Sequence, residues 1–174
     1  YLQGVRGFSP KTAGMLLIIQ TLVQCILSPV AGRLADRIYP GRIATFGMAI
    51  CTAGLICATS VNEATSIPFI IMIFILMGIG YGLFSSPNIT VIMNSMPVNA
   101  YGQASSLAAT MRTLGMLTSM TISSVLIVHH MGHQSVGTET AWLFVQSMQS
   151  AMMLFAVMGF VGVMFSMGRV LPSS

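Results

Sequence analysis

Polar and apolar positions fall into five long apolar runs separated by short polar breaks. The runs cover roughly residues 13–32, 43–60, 67–95, 104–128 and 145–168. Each approaches or exceeds the ~20 predominantly apolar residues that a helix needs to cross a hydrocarbon core. No charged side chain lies between Glu63 and Arg112, or between Glu139 and Arg169. Apolar and polar residues do not alternate at period two, which argues against a membrane barrel. The pattern predicts an all-α integral membrane protein with five transmembrane helices, its partner the lipid bilayer.

Proline and glycine mark the breaks. Pro10 precedes the first run and Pro68 opens the third, where a helix start tolerates proline. Pro87 follows Ser85-Ser86, and apolar character resumes in NITVIM, so a kink with helical continuation toward Ser95 is expected. Pro97, Asn99 and Gly102 then break the chain before the fourth helix. Placing the N-terminus outside puts Arg33, Arg37, Arg42 and Arg169 on the inner side and Arg6 and Lys11 on the outer. The excess of inner cations favours that orientation, with a cytoplasmic C-terminus.

Three helices carry polar stripes. Gln20, Gln24 and Ser28 are spaced i, i+4, i+8 and share one face of the first helix. On the third helix, Tyr81, Ser85 and Asn88 fall at i, i+4, i+7. Gly78 and Gly82 form a G-x-x-x-G that lets another backbone approach closely, and Gly80 adds flexibility. Arg112 is the one charge within a span, and Ser119 and Ser123 continue its face. A polar stripe avoids lipid, so it lines a water-filled pathway or bonds to a neighbouring helix. Arg112 either meets a partner elsewhere or snorkels to the inner interface. Gln20, Gln24, Tyr81, Ser85, Asn88 and Arg112 are therefore the candidate substrate-pathway residues. Helix five is nearly featureless and reads as peripheral. Thr45, Thr52 and Thr59, at seven-residue spacing on helix two, read as packing residues.

Composition narrows the function. Charged residues make up 6% of the 174, against about 25% in soluble domains. A soluble enzyme and a disordered tail are thereby excluded. Seven Lys+Arg scattered along the chain form no nucleic-acid stripe. Cys25, Cys51 and Cys57 sit in apolar runs without C-x-x-C spacing and read as small hydrophobes. No nucleophile elbow, zincin motif or phosphate loop is present, and Asp36, Glu63 and Glu139 all fall in expected loops. No catalytic residue and no resident cofactor is assigned. His129, His130 and His133 beside Glu139 have a spacing that could hold a divalent metal, but they read as a solvated outer loop, and no metal site is assigned.

The segment GRLADRIYPGR, Gly32 to Arg42, joins helices one and two on the inner side. It resembles the G-x-L-a-D-R-x-G-R loop signature of the major facilitator superfamily. VRGFSPKTAGMLL, FSSPNITVIMNSMP and GQASSLAATMRTLG resemble the corresponding segments of the fourteen-helix drug:proton antiporter family. The resemblance implies the last five membrane helices of a transporter's C-terminal half, a cell-membrane location and a missing N-terminal half as partner. It implies efflux of a small lipophilic or cationic substrate by alternating access, with a proton gradient as the coupling ion. It also implies that helices one, three and four line the cavity, and that Gly32, Asp36, Arg37 and Arg42 act as an inner-side gating latch. The alternatives are a self-standing five-helix protein without transport and a nutrient permease of the same superfamily.

Overall fold

The computed structural model describes residues 1–132 and 140–168. Five α-helices follow one another: α1 (Pro10–Ala35), α2 (Pro40–Thr59), α3 (Ile67–Asn94), α4 (Tyr101–Met131) and α5 (Ala141–Gly168). A short 3-10 turn, Val98–Ala100, leads into α4. All five helices are long and apolar enough to cross a membrane, and no strand occurs among the described residues. His133, Glu139 and Arg169 lie outside the described residues; His129 and His130 stand in the last turn of α4 rather than in a loop, because the helix runs on past its apolar run.

Four of the helices begin three or four residues before their apolar runs. In α1, α2 and α4 the helical backbone continues through polar residues at the membrane edge because its hydrogen bonds are internal, and in α5 the added residues, Ala141 to Phe144, are themselves apolar. Local chemistry sets the starts. Ser9 caps α1, its Oγ accepting from the Thr12 amide at 3.2 Å. Proline occupies the first turn of α1, α2 and α3, where its missing N–H costs nothing. Gly132, with φ 61, ends α4.

Glycine decides the packing. α3 lies between α1 and α2. A Cβ on Gly80 would stand 2.7 Å from the Cys51 amide nitrogen and 2.8 Å from the Gly47 carbonyl, so α3 and α2 touch backbone to backbone. Gly80 is a contact point rather than a flexible link. Gly78 and Gly82, two residues to either side, point the opposite way and meet α1. A Cβ on Gly78 would stand 2.7 Å from the Gln20 carbonyl, and one on Gly82 would stand 3.3 Å from that of Gln24.

α5 is less featureless than its sequence suggests, because one face is seated on α2. Thr45 and Ser166 share a hydrogen bond at 2.6 Å, Gly159 abuts Thr52, and Gly162 abuts Met48. Its other face exposes Met153, Phe160 and Phe165, as a lipid-facing surface does. α4 packs beside α5 and touches α3 only sparsely. No residue in the most apolar window of α4 is buried.

At the end of the bundle expected to face outward, three successive carbonyls of the α2–α3 loop accept side-chain hydrogen bonds from other elements. Gln149 Nε2 of α5 donates to Val61 at 2.7 Å. The Tyr1 hydroxyl donates to Asn62 and Arg6 Nη1 to Glu63, each at 2.6 Å. Each such bond contributes about 1 kcal/mol net.

Candidate functional site

The polar face of α3 and the inner half of α4 enclose a cavity of about 400 Å³. Tyr81, Ser85 and Asn88 enter it from α3, at the helical spacing that puts them on one face. Arg112 enters from α4 beside Ala104, Ala108 and Met111. Phe84, Ile89, Ile92, Met96 and Leu107 complete an otherwise apolar lining. The volume falls in the ~300–1,000 Å³ range of small-molecule sites, and an apolar wall with a few polar groups is their usual composition.

Small residues make the room. Ala104 and Ala108 sit one turn apart on α4, leaving space that larger side chains would fill. Arg112 lies 11 residues beyond the start of α4, ~16 Å along its axis at 1.5 Å per residue. Asp36 and Glu63, the described carboxylates, lie outside the helices at opposite ends of the bundle. Neither is among the residues lining the cavity. A guanidinium in such a place presents five fixed donors suited to carboxylate, phosphate or aromatic surfaces.

Four of the six sequence-derived pathway residues thus meet at one cavity. The other two do not join them. Gln20 lines a separate cavity of about 490 Å³ toward the outer end, walled by Leu17, Phe74, Met77, Met148 and Met152. Gln24 is half-buried, and its backbone lies against Gly82. The Gln20–Gln24 segment therefore forms the α1–α3 seam, and the α3–α4 cavity takes none of its lining from α1.

The inner-side residues form a second group. Asp36 and Arg37 line a shallow exposed cavity of about 430 Å³ with Val30, Arg33 and Leu34. Asp36 is the C-cap of α1. A carboxylate there faces the negative end of the helix dipole, where a cation such as Arg33 is the favoured charge. Arg42 is exposed in the first turn of α2, and Gly32 stands opposite Ser86 of α3. At the other end, His130 Nδ1 lies 2.9 Å from the Leu126 carbonyl and its ring is edge-on to His129. No group of three or more metal-ligating side chains occurs among the described residues.

Two features escaped sequence reasoning. The Val61–Glu63 carbonyl node could not be read, because no local pattern announces a loop carbonyl's distant donor. Pro29 was readable: it lies inside α1, within the run assigned to the first helix.

The sequence profile of the Major Facilitator Superfamily matches residues 1–173. The chain belongs to the Major Facilitator Superfamily. Among curated relatives, it is 34% identical to "Uncharacterized transporter YebQ" of Escherichia coli (strain K12), over 73% of this chain and 28% of the relative. It is 29% identical to "Riboflavin transporter RibZ" of Clostridioides difficile (strain 630), over 66% of this chain and 25% of that one. It is also 29% identical to "Multidrug resistance protein Stp" of Mycobacterium tuberculosis, over 66% of this chain and 21% of that one. The chain thus spans about a quarter of the length of these superfamily relatives. No solved structure matches it.

Proposed function

We propose that this chain forms part of a proton-coupled secondary transporter that exports small lipophilic or cationic molecules by alternating access. The observation carrying the reading is the convergence of Tyr81, Ser85, Asn88 and Arg112 on one cavity of about 400 Å³. In hydrocarbon, polar groups turned toward a cavity mark a solute path more often than a lipid surface. Apolar walls with Phe84, Met96 and Met111 suit lipophilic ring systems, and methionine adapts to several shapes. The multidrug-resistance relative supports export. A nutrient permease is the second reading, and the riboflavin transporter, at the same 29% identity, favours it.

Alternating access requires a second bundle that rocks against this one about a site near the midplane. The poorly covered faces of α4 suit such a partner, which is the missing N-terminal half. A five-helix protein acting alone would leave these faces and the cavity open to lipid. Asp36, Arg37 and Arg42, with Gly32, then serve as the inner latch. Asp36, destabilised by its own helix end, gains most from a cation or helix N-terminus on the opposing half. The described carboxylates, Asp36 and Glu63, lie outside the helices, which favours a coupling carboxylate on that half as well.

The test is transport by the intact protein in energised inside-out vesicles, comparing tetraphenylphosphonium with riboflavin. Proton-dependent uptake of the lipophilic cation supports export of drug-like cations. Proton-driven release of preloaded riboflavin, with no uptake of the cation, establishes the permease reading. Failure to move either compound, at normal protein levels, defeats both assignments.

A further inference from the structure

Two helices of the bundle carry an interior proline, Pro29 in α1 and Pro87 in α3. Both helices run in the same direction, and their contacts fix the register between them. Gly78 stands against Gln20 and Val23, Gly82 against Gln24 and Leu27, and Gly32 lies 3.8 Å from Ser86 Oγ when given a Cβ. Position 87 therefore falls at the level of residues 28–32, which includes Pro29. The two prolines lie at the same depth of neighbouring parallel helices.

They also lie on opposite outer faces of the pair. Pro87 is fully buried and sits seven residues after Gly80, on the face that α2 covers. Pro29 is exposed, two residues beyond Leu27 and so about 200° around the helix from the face toward α3. A proline lacks the N–H that would bond the carbonyl four residues earlier, and its ring pushes that carbonyl away. The Leu83 and Cys25 carbonyls thus lose their usual partners. A helix opens on its proline side, so any bend at these positions is directed toward the other helix. Ala31, at 0% exposure, is covered at the same level of α1.

Above this level the pair is locked by the backbone contacts of Gly78 and Gly82, and α3 is further locked to α2 at Gly80. Below it, α1 and α3 run six or seven more residues, to Ala35 and Asn94. We propose that Pro29 and Pro87 form one paired hinge, about which the inner ends of α1 and α3 swing as a unit. Its consequence for access to the α3–α4 cavity rests on the transporter reading, because Asn88 and the Asp36–Arg37 turn ride on the moving part. The hinge itself is independent of transport.

The experiment uses the intact protein, with native cysteines replaced by serine, in lipid nanodiscs. Spin labels at Leu34→Cys and Met167→Cys report the inner end of α1 against α5. Labels at Ser95→Cys and Met167→Cys report that of α3. The expected result is two distance populations for each pair, shifting together on addition of tetraphenylphosphonium. Pro29→Ala or Pro87→Ala restores one helix hydrogen bond and should deplete the minor population about fivefold in both pairs, not only on the altered helix. Pro29→Gly and Pro87→Gly should retain both populations, and they serve where an alanine variant fails to reach the membrane. A single population in the unaltered protein, or a change confined to the helix carrying the substitution, overturns the hinge. Correct distances without transport leave the hinge standing and refute the transporter reading.

Discussion

Gly47→Ala tests the packing logic of the bundle most sharply. A Cβ at Gly47 would stand 2.6 Å from the Phe84 amide nitrogen, 2.7 Å from the Gly80 carbonyl oxygen and 2.9 Å from the Leu83 carbonyl carbon. All three are backbone atoms of α3, so no side chain can rotate away. Ordinary contact begins near 3.4 Å, so α2 and α3 must separate by roughly 0.5–1 Å. A gap of that size forfeits about a quarter to a half of each dispersion contact along the seam. Overpacking of this kind costs about 1–3 kcal/mol, against which alanine returns about 1 kcal/mol of helix propensity. The net is destabilisation of about 1–2 kcal/mol. Gly115→Ala on α4 is the matched control: nothing in the chain lies within 4 Å of its Cβ, so only the propensity gain remains. The assay is thermal unfolding of the intact protein in detergent. Gly47→Ala should lower the midpoint, and Gly115→Ala should hold or raise it. An unchanged midpoint for Gly47→Ala would refute the backbone contact between α2 and α3.

Four further outcomes are expected. Arg112→Gln should cut substrate transport at least tenfold at normal protein levels, with partial recovery in Arg112→Lys if charge rather than the planar fork matters, as read by vesicle uptake. Asp36→Asn should slow transport without altering the affinity for tetraphenylphosphonium, separating the latch from the binding site; unchanged efflux would remove Asp36 from the latch. Thr45→Ala and Ser166→Ala should each weaken the α2–α5 seam, with a coupling of about 0.6 kcal/mol in the double-mutant cycle. Gln149→Leu should strip the Val61 carbonyl of its donor and speed hydrogen exchange of the α2–α3 loop amides, while leaving exchange at the inner end of α3 unchanged.

The five helices were legible because lipid imposes one strong rule: a span must be apolar and internally hydrogen-bonded. Their ends were less legible: α1 begins at Pro10, ahead of the polar Lys11 and Thr12, and α5 begins at Ala141, in an apolar AWLF stretch that the expected run left out. The α3 side of the site was legible from spacing alone, as Tyr81, Ser85 and Asn88 repeat at helical intervals. Arg112 on α4 stood out as the one charge within a span, whereas the place of α1 could not be read. The same i, i+4 spacing that makes Gln20 and Gln24 look like a pathway also places them on a helix–helix seam, and only the glycines opposite decide between the two. Gly78 and Gly82 face α1, as their G-x-x-x-G spacing allows, while Gly80, read as flexibility, makes a second backbone contact with α2. Long-range bonds such as Thr45 to Ser166 leave no mark in either local sequence.

In the proposed transporter, solute passes between α3 and α4. Substrate protection of single cysteines tests it directly, in the intact transporter with its native cysteines replaced. A membrane-permeant maleimide would be applied to Ser85→Cys, Ala108→Cys and Gln20→Cys, with and without tetraphenylphosphonium. The account predicts slower labelling at positions 85 and 108 in the presence of the cation and no change at position 20. Protection at position 20, with positions 85 and 108 unaffected, would place the path in the outer cavity of α1, α3 and α5 and contradict it.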